Sequence, residues 1–248
     1  MGKDLFSQHA ADYAKYRPGY PQAFVDYICS FPPGKELAWD CACGNGQASV
    51  MVARHFNKVI ATDLSQQQID AAKPHPRIEY SVAKAESSGL PSSCFDLVTV
   101  AQAYHWLKQE LFWNEVKRVT KPRSIIAVWG YNLMTCANEK VTTLIHEFYY
   151  NVTDLYWEPE RKILEDNYTS ILFPCEEIEG HPEFKMEVTW NISQLDGYLN
   201  TWSAIKKFIT INQSNPIVDL VKEIGKVWGS KDALEFHFPL ALRLGRIQ

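Results

Sequence analysis

Hydrophobic and polar residues follow one another along this chain in a pattern that alternates between strands and amphipathic helices. Short apolar runs rich in β-branched residues predict strands at 37–40, 58–62, 77–82, 95–101 and 124–130. Apolar residues three or four positions apart predict helices at 4–15, 21–30, 46–55, 65–72 and 108–119. Alternation of this kind indicates a mainly parallel sheet with helices on both faces, which binds ligands at the carboxyl ends of its strands.

Beyond residue 130 the pattern is more aromatic and less regular. It predicts helices at 138–150, 194–208 and 216–228, an extended stretch at 183–192 and a strand at 234–244. Pro239 within the last of these predicts a bulge or a sheet edge there. No internal repeat or low-complexity linker interrupts the sequence, so we expect residues 132–232 to elaborate the sheet edge within one domain.

Composition is consistent with a compact protein and gives no indication of a nucleic-acid or membrane partner. The hydrophobic fraction is 46%, and the net charge of -4 offers no electrostatic basis for binding nucleic acid or an anionic membrane. We therefore expect a small-molecule substrate as the partner, with no nucleic acid and no membrane, in a monomer or homodimer. Because no signal-peptide pattern or long apolar run is visible, a cytoplasmic location is the default expectation.

Two sets of residues have simple interpretations outside catalysis. The six cysteines fit neither a secreted disulfide framework nor a C-x-x-C metal site, so we expect no bound metal and buried, packing roles for Cys41 and Cys43. The charged stretch 158–162 is most simply a solvated surface.

A glycine-bearing turn is the most informative feature of the sequence. A predicted strand delivers Asp40 into a turn that contains Gly44 and Gly46, and the next strand ends at Asp63. An acidic residue before the turn would repel the phosphates of a dinucleotide. It suits instead a cationic ligand with a ribose diol, such as S-adenosylmethionine, whose hydroxyls Asp63 would bind while Asp40 lies near the amino-acid end, directly or through water.

This turn resembles the cofactor loop of the class I S-adenosylmethionine-dependent methyltransferases, an acidic residue followed by G-x-G-x-G. Residues 40–46 match that pattern with Ala42 at the first glycine, a departure that matters if a positive φ is required there. The segments 64–65, 83–91, 95–106 and 121–129 are also similar, although Arg123 and Ser124 replace two glycines. Residues 13–21 resemble a subgroup that includes trans-aconitate and farnesoate methyltransferases.

The resemblance implies a Rossmann-like methyltransferase fold: a mostly parallel seven-stranded α/β sheet with an antiparallel last strand, helices on both faces and an added helical cap. It divides the single domain into an N-terminal helical lid (1–34), a cofactor-binding core (35–131), a substrate-side elaboration (132–232) and a closing strand (233–248). The cofactor-binding residues that it implies are Arg17, Asp40, Ala42, Gly44, Asn45, Gly46, Asp63, Leu64, Ala85, Glu86, Ala101 and Gln102.

The methyl acceptor is less defined than the cofactor. A carboxylate, the first choice by resemblance, is ionised at neutral pH and can attack unaided, whereas a phenol or an amine benefits from a general base. His105 is the candidate base, and its structural alternative is to orient the loop by hydrogen bonding to the backbone. The candidate substrate-binding residues are aromatic: Tyr16, Tyr20, Tyr104, Trp106 and Trp129. Core packing is the alternative for Tyr104, Trp106 and Trp129, and we expect it for at least one of them. A cofactor-binding protein without catalysis and a dehydrogenase are the remaining alternatives.

Overall fold

The structure of the 248-residue chain is a computed structural model that describes residues 18–248. The helix predicted at 4–15 and the candidate residues Tyr16 and Arg17 lie outside the described residues.

A single mixed sheet organises the described part of the chain. Seven of its strands have five residues or more, and two have only two residues. The strands are β1 Leu37–Cys41, β2 Lys58–Asp63, β3 Ile78–Val82, β4 Phe95–Ala101, β5 Thr120–Tyr131, β6 Thr135–Cys136, β7 Glu176–Glu177, β8 Phe184–Trp190 and β9 Leu234–Arg246. The sheet order is β3-β2-β1-β4-β5-β9-β6, and β7 and β8 also pair with β9.

The first five strands are parallel, and β9 is antiparallel to β5. Every residue of β4 except the last is buried, as expected for a parallel strand that is covered on both faces. Because β1 and β4 are neighbours near the centre of the sheet, the loops that leave their carboxyl ends emerge side by side. The predicted Rossmann-like fold with an antiparallel last strand is confirmed.

Helices cover the two faces of the sheet. Their bounds are α1 Gln22–Cys29, α2 Gln47–Val52, α3 Gln66–Asp70, α4 Gln109–Val119, α5 Glu139–Phe148, α6 Arg161–Glu165, α7 Ile192–Leu199, α8 Ser203–Asn212 and α9 Ile217–Val227. A π-helical turn at Tyr149–Thr153 extends α5, and 3-10 turns occupy Tyr104–Trp106 and Asp154–Tyr156. No helix of residues 18–248 is both long enough and apolar enough to cross a membrane.

Three sequence-based predictions need correction. The helix predicted at 194–208 is two helices, because the chain turns at Thr201 and Trp202 and a new helix begins at Ser203. The stretch 158–162 is solvated only in part: Glu160 and Lys162 are exposed, whereas the side chains of Glu158 and Arg161 are 13% and 23% exposed. The helix α6 and the short strands β6 and β7 were not predicted.

Pro239 lies within the sheet, opposite Lys185 of β8. On its other side the ladder with β5 ends at Tyr131, and the next amide, that of Asn132, donates to the Pro239 carbonyl at 3.1 Å. A proline is tolerated at this position because the strand that would accept its missing N–H has already ended.

Candidate active site

The glycine-bearing turn connects β1 to α2 in a tight left-handed path. Gly44 and Gly46 have φ of +56° and +81°, a region that favours glycine. The Cys43 amide donates to the Thr62 carbonyl at 2.9 Å, which joins the turn to the end of β2. Asn45 lies half-buried between the two glycines. The turn is therefore held against the neighbouring strand, with backbone conformations that only a few residue types adopt easily.

Ala42, at the position of the first glycine in the resembled pattern, has φ of +55°. The departure therefore matters, because an alanine in the left-handed region costs about 1–2 kcal/mol. The chain keeps the turn despite this strain because the strands and the hydrogen bonds around it specify the conformation.

We expect Ala42→Gly to stabilise the protein by about 0.5–1 kcal/mol, since glycine relieves this strain but gives the unfolded chain more entropy. Urea unfolding measures the change. Ala48→Gly, in α2, is the matched control, and it should destabilise by about 1 kcal/mol because glycine is unfavourable within a helix. A destabilised Ala42→Gly protein would contradict the strain argument.

Asp40 is completely buried beneath the turn. Its carboxylate accepts hydrogen bonds from the Thr99 hydroxyl at 2.8 Å and from the Ser49 hydroxyl, so it ties β1 to β4 and to the start of α2. Burial raises its pKa to about 6, although both hydroxyl contacts favour the charged form. Support of the turn is the role that the geometry gives Asp40, and contact with the amino-acid end of a cofactor stays a prediction.

Asp63, at the end of β2, holds the turn from the other side. One carboxylate oxygen accepts from the Gly44 amide at 2.8 Å, and the other accepts from the Ser65 amide at 2.9 Å. Each carboxylate oxygen can accept a second hydrogen bond. The half-buried side chain can thus stabilise the turn and still receive the hydroxyls of a ribose.

Two exposed apolar side chains lie next to Asp63 at the sheet edge. Leu64 is 51% exposed and Val82, paired with Asp63 in the sheet, is 45% exposed. Ala85 is buried nearby in sequence, and the Glu86 carboxylate accepts from the Lys108 amide at 3.0 Å, which joins the loops after β3 and β4. Exposed aliphatic side chains beside a carboxylate with remaining acceptor capacity are surroundings that suit a nucleoside.

Tyr80 is a candidate that the sequence did not reveal. Its hydroxyl is buried and has no hydrogen-bond partner among residues 18–248. Burial raises its pKa to about 12, so the phenol stays a donor at neutral pH. The ring packs against Gly46: a Cβ there would lie 2.7 Å from Cε1 of the ring. Tyr80 could not be recognised from the sequence, because tyrosine is common in strands and only the tertiary contact with Gly46 distinguishes this one.

A cleft opens beyond the carboxyl ends of β4 and β5. Its aromatic and aliphatic lining consists of Trp106, Tyr131, Leu133, Trp157, Tyr198 and Trp202. Its polar lining consists of Gln102, His105, Asn132, Glu158, Arg161 and Ser203. The predicted residues Gln102, His105 and Trp106 therefore come together here, and Ala101 ends β4 beside them. The rest of the lining comes from residues 131–133, 157–161 and 198–203. For most of these the sequence predicted only that residues 132–232 lie on the substrate side.

His105 is 6% exposed in this cleft. Burial lowers its pKa to about 3, with a further contribution from the positive charge of Arg161. The imidazole is therefore neutral at physiological pH, and it lies 3.4 Å from the Tyr168 hydroxyl. A general base works best with a pKa near the working pH. The surroundings of His105 therefore suit a neutral hydrogen-bonding group better than a base.

Two predicted substrate contacts need correction. Tyr104 is completely buried in the core, where its hydroxyl donates to the Leu172 carbonyl at 2.9 Å and accepts from Trp113 at 2.7 Å. Trp129 is only 1% exposed and packs edge-on against Tyr20 at 5.6 Å between ring centroids. Both are core aromatics: Trp129 belongs to a buried part of β5, and Tyr104 packs in a core cluster with Phe112 and Trp113. Tyr20 is half-buried against the same cluster and does not line the cleft.

The two cysteines of the turn are buried and free of disulfides. Burial raises the thiol pKa values of Cys41 and Cys43 well above the usual range. Both thiols are therefore protonated, and they pack under the turn as the sequence suggested.

Comparisons with known proteins agree with this geometry. A family model described as a methyltransferase domain matches residues 39–128. A Dictyostelium discoideum protein named as a methyltransferase is 32% identical over 250 residues, which cover 98% of this chain and 95% of the relative. A solved structure from Anaeromyxobacter dehalogenans, named as a type II methyltransferase, is 35% identical with a TM-score of 0.86 and covers 93% of this chain and 98% of its own.

A Saccharomyces cerevisiae protein named for S-adenosylmethionine-dependent methyl transfer is 28% identical over 140 residues, 53% of this chain and 47% of the relative. The matched family model includes the turn, Asp63 and the exit of β4, the regions whose geometry is described above. The chain belongs to the class I S-adenosylmethionine-dependent methyltransferases.

Proposed function

We propose that this enzyme binds S-adenosylmethionine at the glycine-bearing turn and transfers its methyl group to a carboxylate oxygen of a small molecule. The observation that carries the acceptor class is the composition of the cleft, where a guanidinium lies near a histidine held neutral by burial. Such a site can orient an anion but offers no well-matched base for an acceptor that must first lose a proton.

The residues around the turn fit the cofactor. Asp63 has acceptor capacity for a ribose diol, and Leu64 and Val82 expose apolar surface beside it. The Tyr80 hydroxyl supplies a buried donor without a partner in the described part of the chain. Asp40 and Asp63 make the surroundings negative, which favours a ligand that carries a sulfonium.

The chemistry places few demands on the protein. The bound sulfonium supplies an activated methyl carbon. A carboxylate lone pair forms the new O–C bond while the C–S bond breaks, its electron pair remains on sulfur, and no proton is released. The chain contributes by placing the acceptor in line and by lining the cleft with aromatic side chains that exclude water.

The first test is calorimetric titration with S-adenosylmethionine, S-adenosylhomocysteine and NAD. We expect micromolar affinity for both adenosyl ligands, none for NAD, and loss of adenosyl binding in Asp63→Ala. Asp70→Ala, an exposed acid at the end of α3, is the matched control and should bind normally. Binding of NAD alone would favour the dehydrogenase alternative, and no adenosyl binding would refute the proposal.

The second part of the test concerns the acceptor. With carboxylic acids as acceptors, His105→Asn should lower kcat by less than about tenfold, because no base is required. If the enzyme instead methylates phenols or amines, and His105→Asn then lowers kcat about 100-fold or more with an unchanged acceptor KM, the alternative with His105 as base is favoured. Adenosyl binding without turnover over a broad panel of acids would favour a silent cofactor-binding protein.

A further inference from the structure

Arg161 is a positively charged residue in the cleft lining, and its side chain is fixed by neighbouring aromatic residues. Its Nε donates to the Tyr149 hydroxyl at 2.6 Å, and its guanidinium carbon lies 4.5 Å from the centroid of the Trp157 ring. A carboxylate oxygen of Glu165 is 3.8 Å from Nε. Among residues 18–248, no hydrogen bond engages the two terminal nitrogens. The side chain is thus fixed at one edge and keeps its bidentate donors available.

A π-helical turn supports this arrangement. Tyr149 begins the turn and Thr153 ends it, and the Thr153 hydroxyl accepts from the Trp157 indole at 3.0 Å. The turn therefore positions both aromatic rings that contact Arg161. Single π-helical turns within α-helices often occur at functional sites because they redirect side chains.

A second donor without a partner belongs to the same cleft. Gln102 follows β4 with φ of +58°, and its backbone N–H donates to the Trp129 carbonyl at 2.8 Å. Its side-chain Nε2 is buried and has no hydrogen-bond partner in the described part of the chain. A buried donor without a partner carries a free-energy cost that an acceptor on a ligand would remove.

The remaining charge in the lining limits the number of acid groups that the cleft can accept. Glu158 is the second charged residue there, and Lys207 lies 3.5 Å from its carboxylate. Arg161 is the lining's one cationic residue among those described. Among residues 18–248 the lining offers no further cation to compensate the extra charges of a polycarboxylate, which would lie against Glu158 and the aromatic side chains.

We propose that the acceptor is a flat, hydrophobic monocarboxylic acid. Arg161 and the Gln102 amide hold its carboxylate, and Trp106, Trp157 and Trp202 contact its apolar body. This inference rests on the proposed methyl transfer to a carboxylate and narrows the acceptor to acids with one anionic group. Arg161 is the specificity-determining residue, and a carboxylate bound by two donors keeps lone pairs free for attack.

The test compares three probes in the presence of S-adenosylhomocysteine: trans-cinnamate, the neutral cinnamamide and the tricarboxylate tricarballylate. Binding is followed by tryptophan fluorescence, since three tryptophans line the cleft, and needs no turnover. We expect cinnamate to bind at least about tenfold more tightly than cinnamamide or tricarballylate, as hydrogen bonds to a charged group imply.

Variants then assign the effect to Arg161. Arg161→Gln should weaken cinnamate binding about 10- to 100-fold and leave cinnamamide binding nearly unchanged, which also shows that the cleft is intact. The cinnamate affinity of Arg161→Lys should lie between those of the unmodified protein and Arg161→Gln, because a lysine keeps the charge without the bidentate geometry. Lys162→Gln, at an exposed neighbouring cation, is the matched control and should bind cinnamate normally.

Three results would overturn the proposal: no cinnamate binding by the unmodified protein, equal losses in Arg161→Gln and Lys162→Gln, or tighter binding of tricarballylate than of cinnamate. The adenosyl titration is independent of all three. A protein that binds S-adenosylmethionine but fails these comparisons would keep the proposed methyl transfer and lose only the assignment of the acceptor and of Arg161.

Discussion

Gly46→Ala is expected to destabilise the protein by about 3 kcal/mol and to weaken S-adenosylmethionine binding about 100-fold or more. Its φ of +81° alone costs an alanine about 1–2 kcal/mol. The new Cβ would also lie 2.7 Å and 2.8 Å from two ring carbons of Tyr80, and overpacking of this kind adds about 1–3 kcal/mol. A turn displaced by an ångström no longer presents its ligand contacts correctly.

Gly89→Ala is the matched control for this substitution. Gly89 has φ of +71°, but nothing lies within 4 Å of a Cβ built there. Gly89→Ala should therefore lose only the stability that backbone strain costs, about 1–2 kcal/mol, because its Cβ meets no neighbouring atom. It should bind the cofactor normally. In a Tyr80→Ala background the penalty for Gly46→Ala should fall to that of Gly89→Ala. Equal penalties for the two glycines in the unmodified protein would show that Tyr80 does not constrain the turn.

Glu115→Gln is expected to cost about 3 kcal/mol at pH 7. Glu115, in α4, is 8% exposed and accepts hydrogen bonds from Arg118 and from the amide and hydroxyl of Ser88. These contacts, chiefly those with Arg118, lower its pKa from 4.5 to about 2. The shift, at about 1.4 kcal/mol per pKa unit, corresponds to the expected loss.

The pH dependence of this contribution has a defined sign. Because the folded pKa is below the unfolded value, the stabilisation is complete above pH 4.5 and is lost as the pH falls towards 2. Asp40 acts in the opposite direction: its pKa, raised from 3.8 to about 6, adds stability as the pH falls from 6 towards 3.8. Each shift corresponds to about 3 kcal/mol, so these two groups should make stability rise as the pH falls from 6 to 4.5 and fall again below 3.8.

Urea unfolding from pH 7 to pH 2.5 separates the two groups. Glu115→Gln should reduce the fall in stability below pH 4.5 and leave the rise below pH 6 unchanged. Glu110→Gln, at an exposed position of the same helix, should alter neither feature. If the free energy of unfolding of Glu115→Gln changes with pH in parallel with that of the unmodified protein, the contacts with Arg118 and Ser88 do not cause the loss of stability at low pH.

Element positions in the first half of the chain could be predicted because each strand there is a short apolar run between turn residues. The predicted strand 95–101 is β4, Phe95–Ala101, and the predicted strand 37–40 is β1 with one further residue. The second half was less predictable. Its helices α7 and α8 have apolar residues that run in phase through Trp202, so the turn between them depends on tertiary packing.

The candidate site shows the same division. Local chemistry distinguished Asp63 and the two glycines of the turn, because an acid after a strand and glycines before a helix are signals within a few residues. Tyr80 and Arg161 carry no such signal. Tyr80 matters through its contact with Gly46, and Arg161 through Tyr149 and Trp157, which fold against it from a π-helical turn and the loop that follows.

By itself the sequence determined the family, the parallel sheet and the position of the glycine-bearing turn at its edge, since these depend on periodicity and on a contiguous motif. The tertiary structure decided the properties that depend on burial and on distant contacts. It removed Asp40 from solvent, held His105 neutral, assigned Tyr104 and Trp129 to the core and brought Arg161 into the cleft. Ionisation and exposure are set by neighbours far apart in sequence, so no local pattern could reveal them.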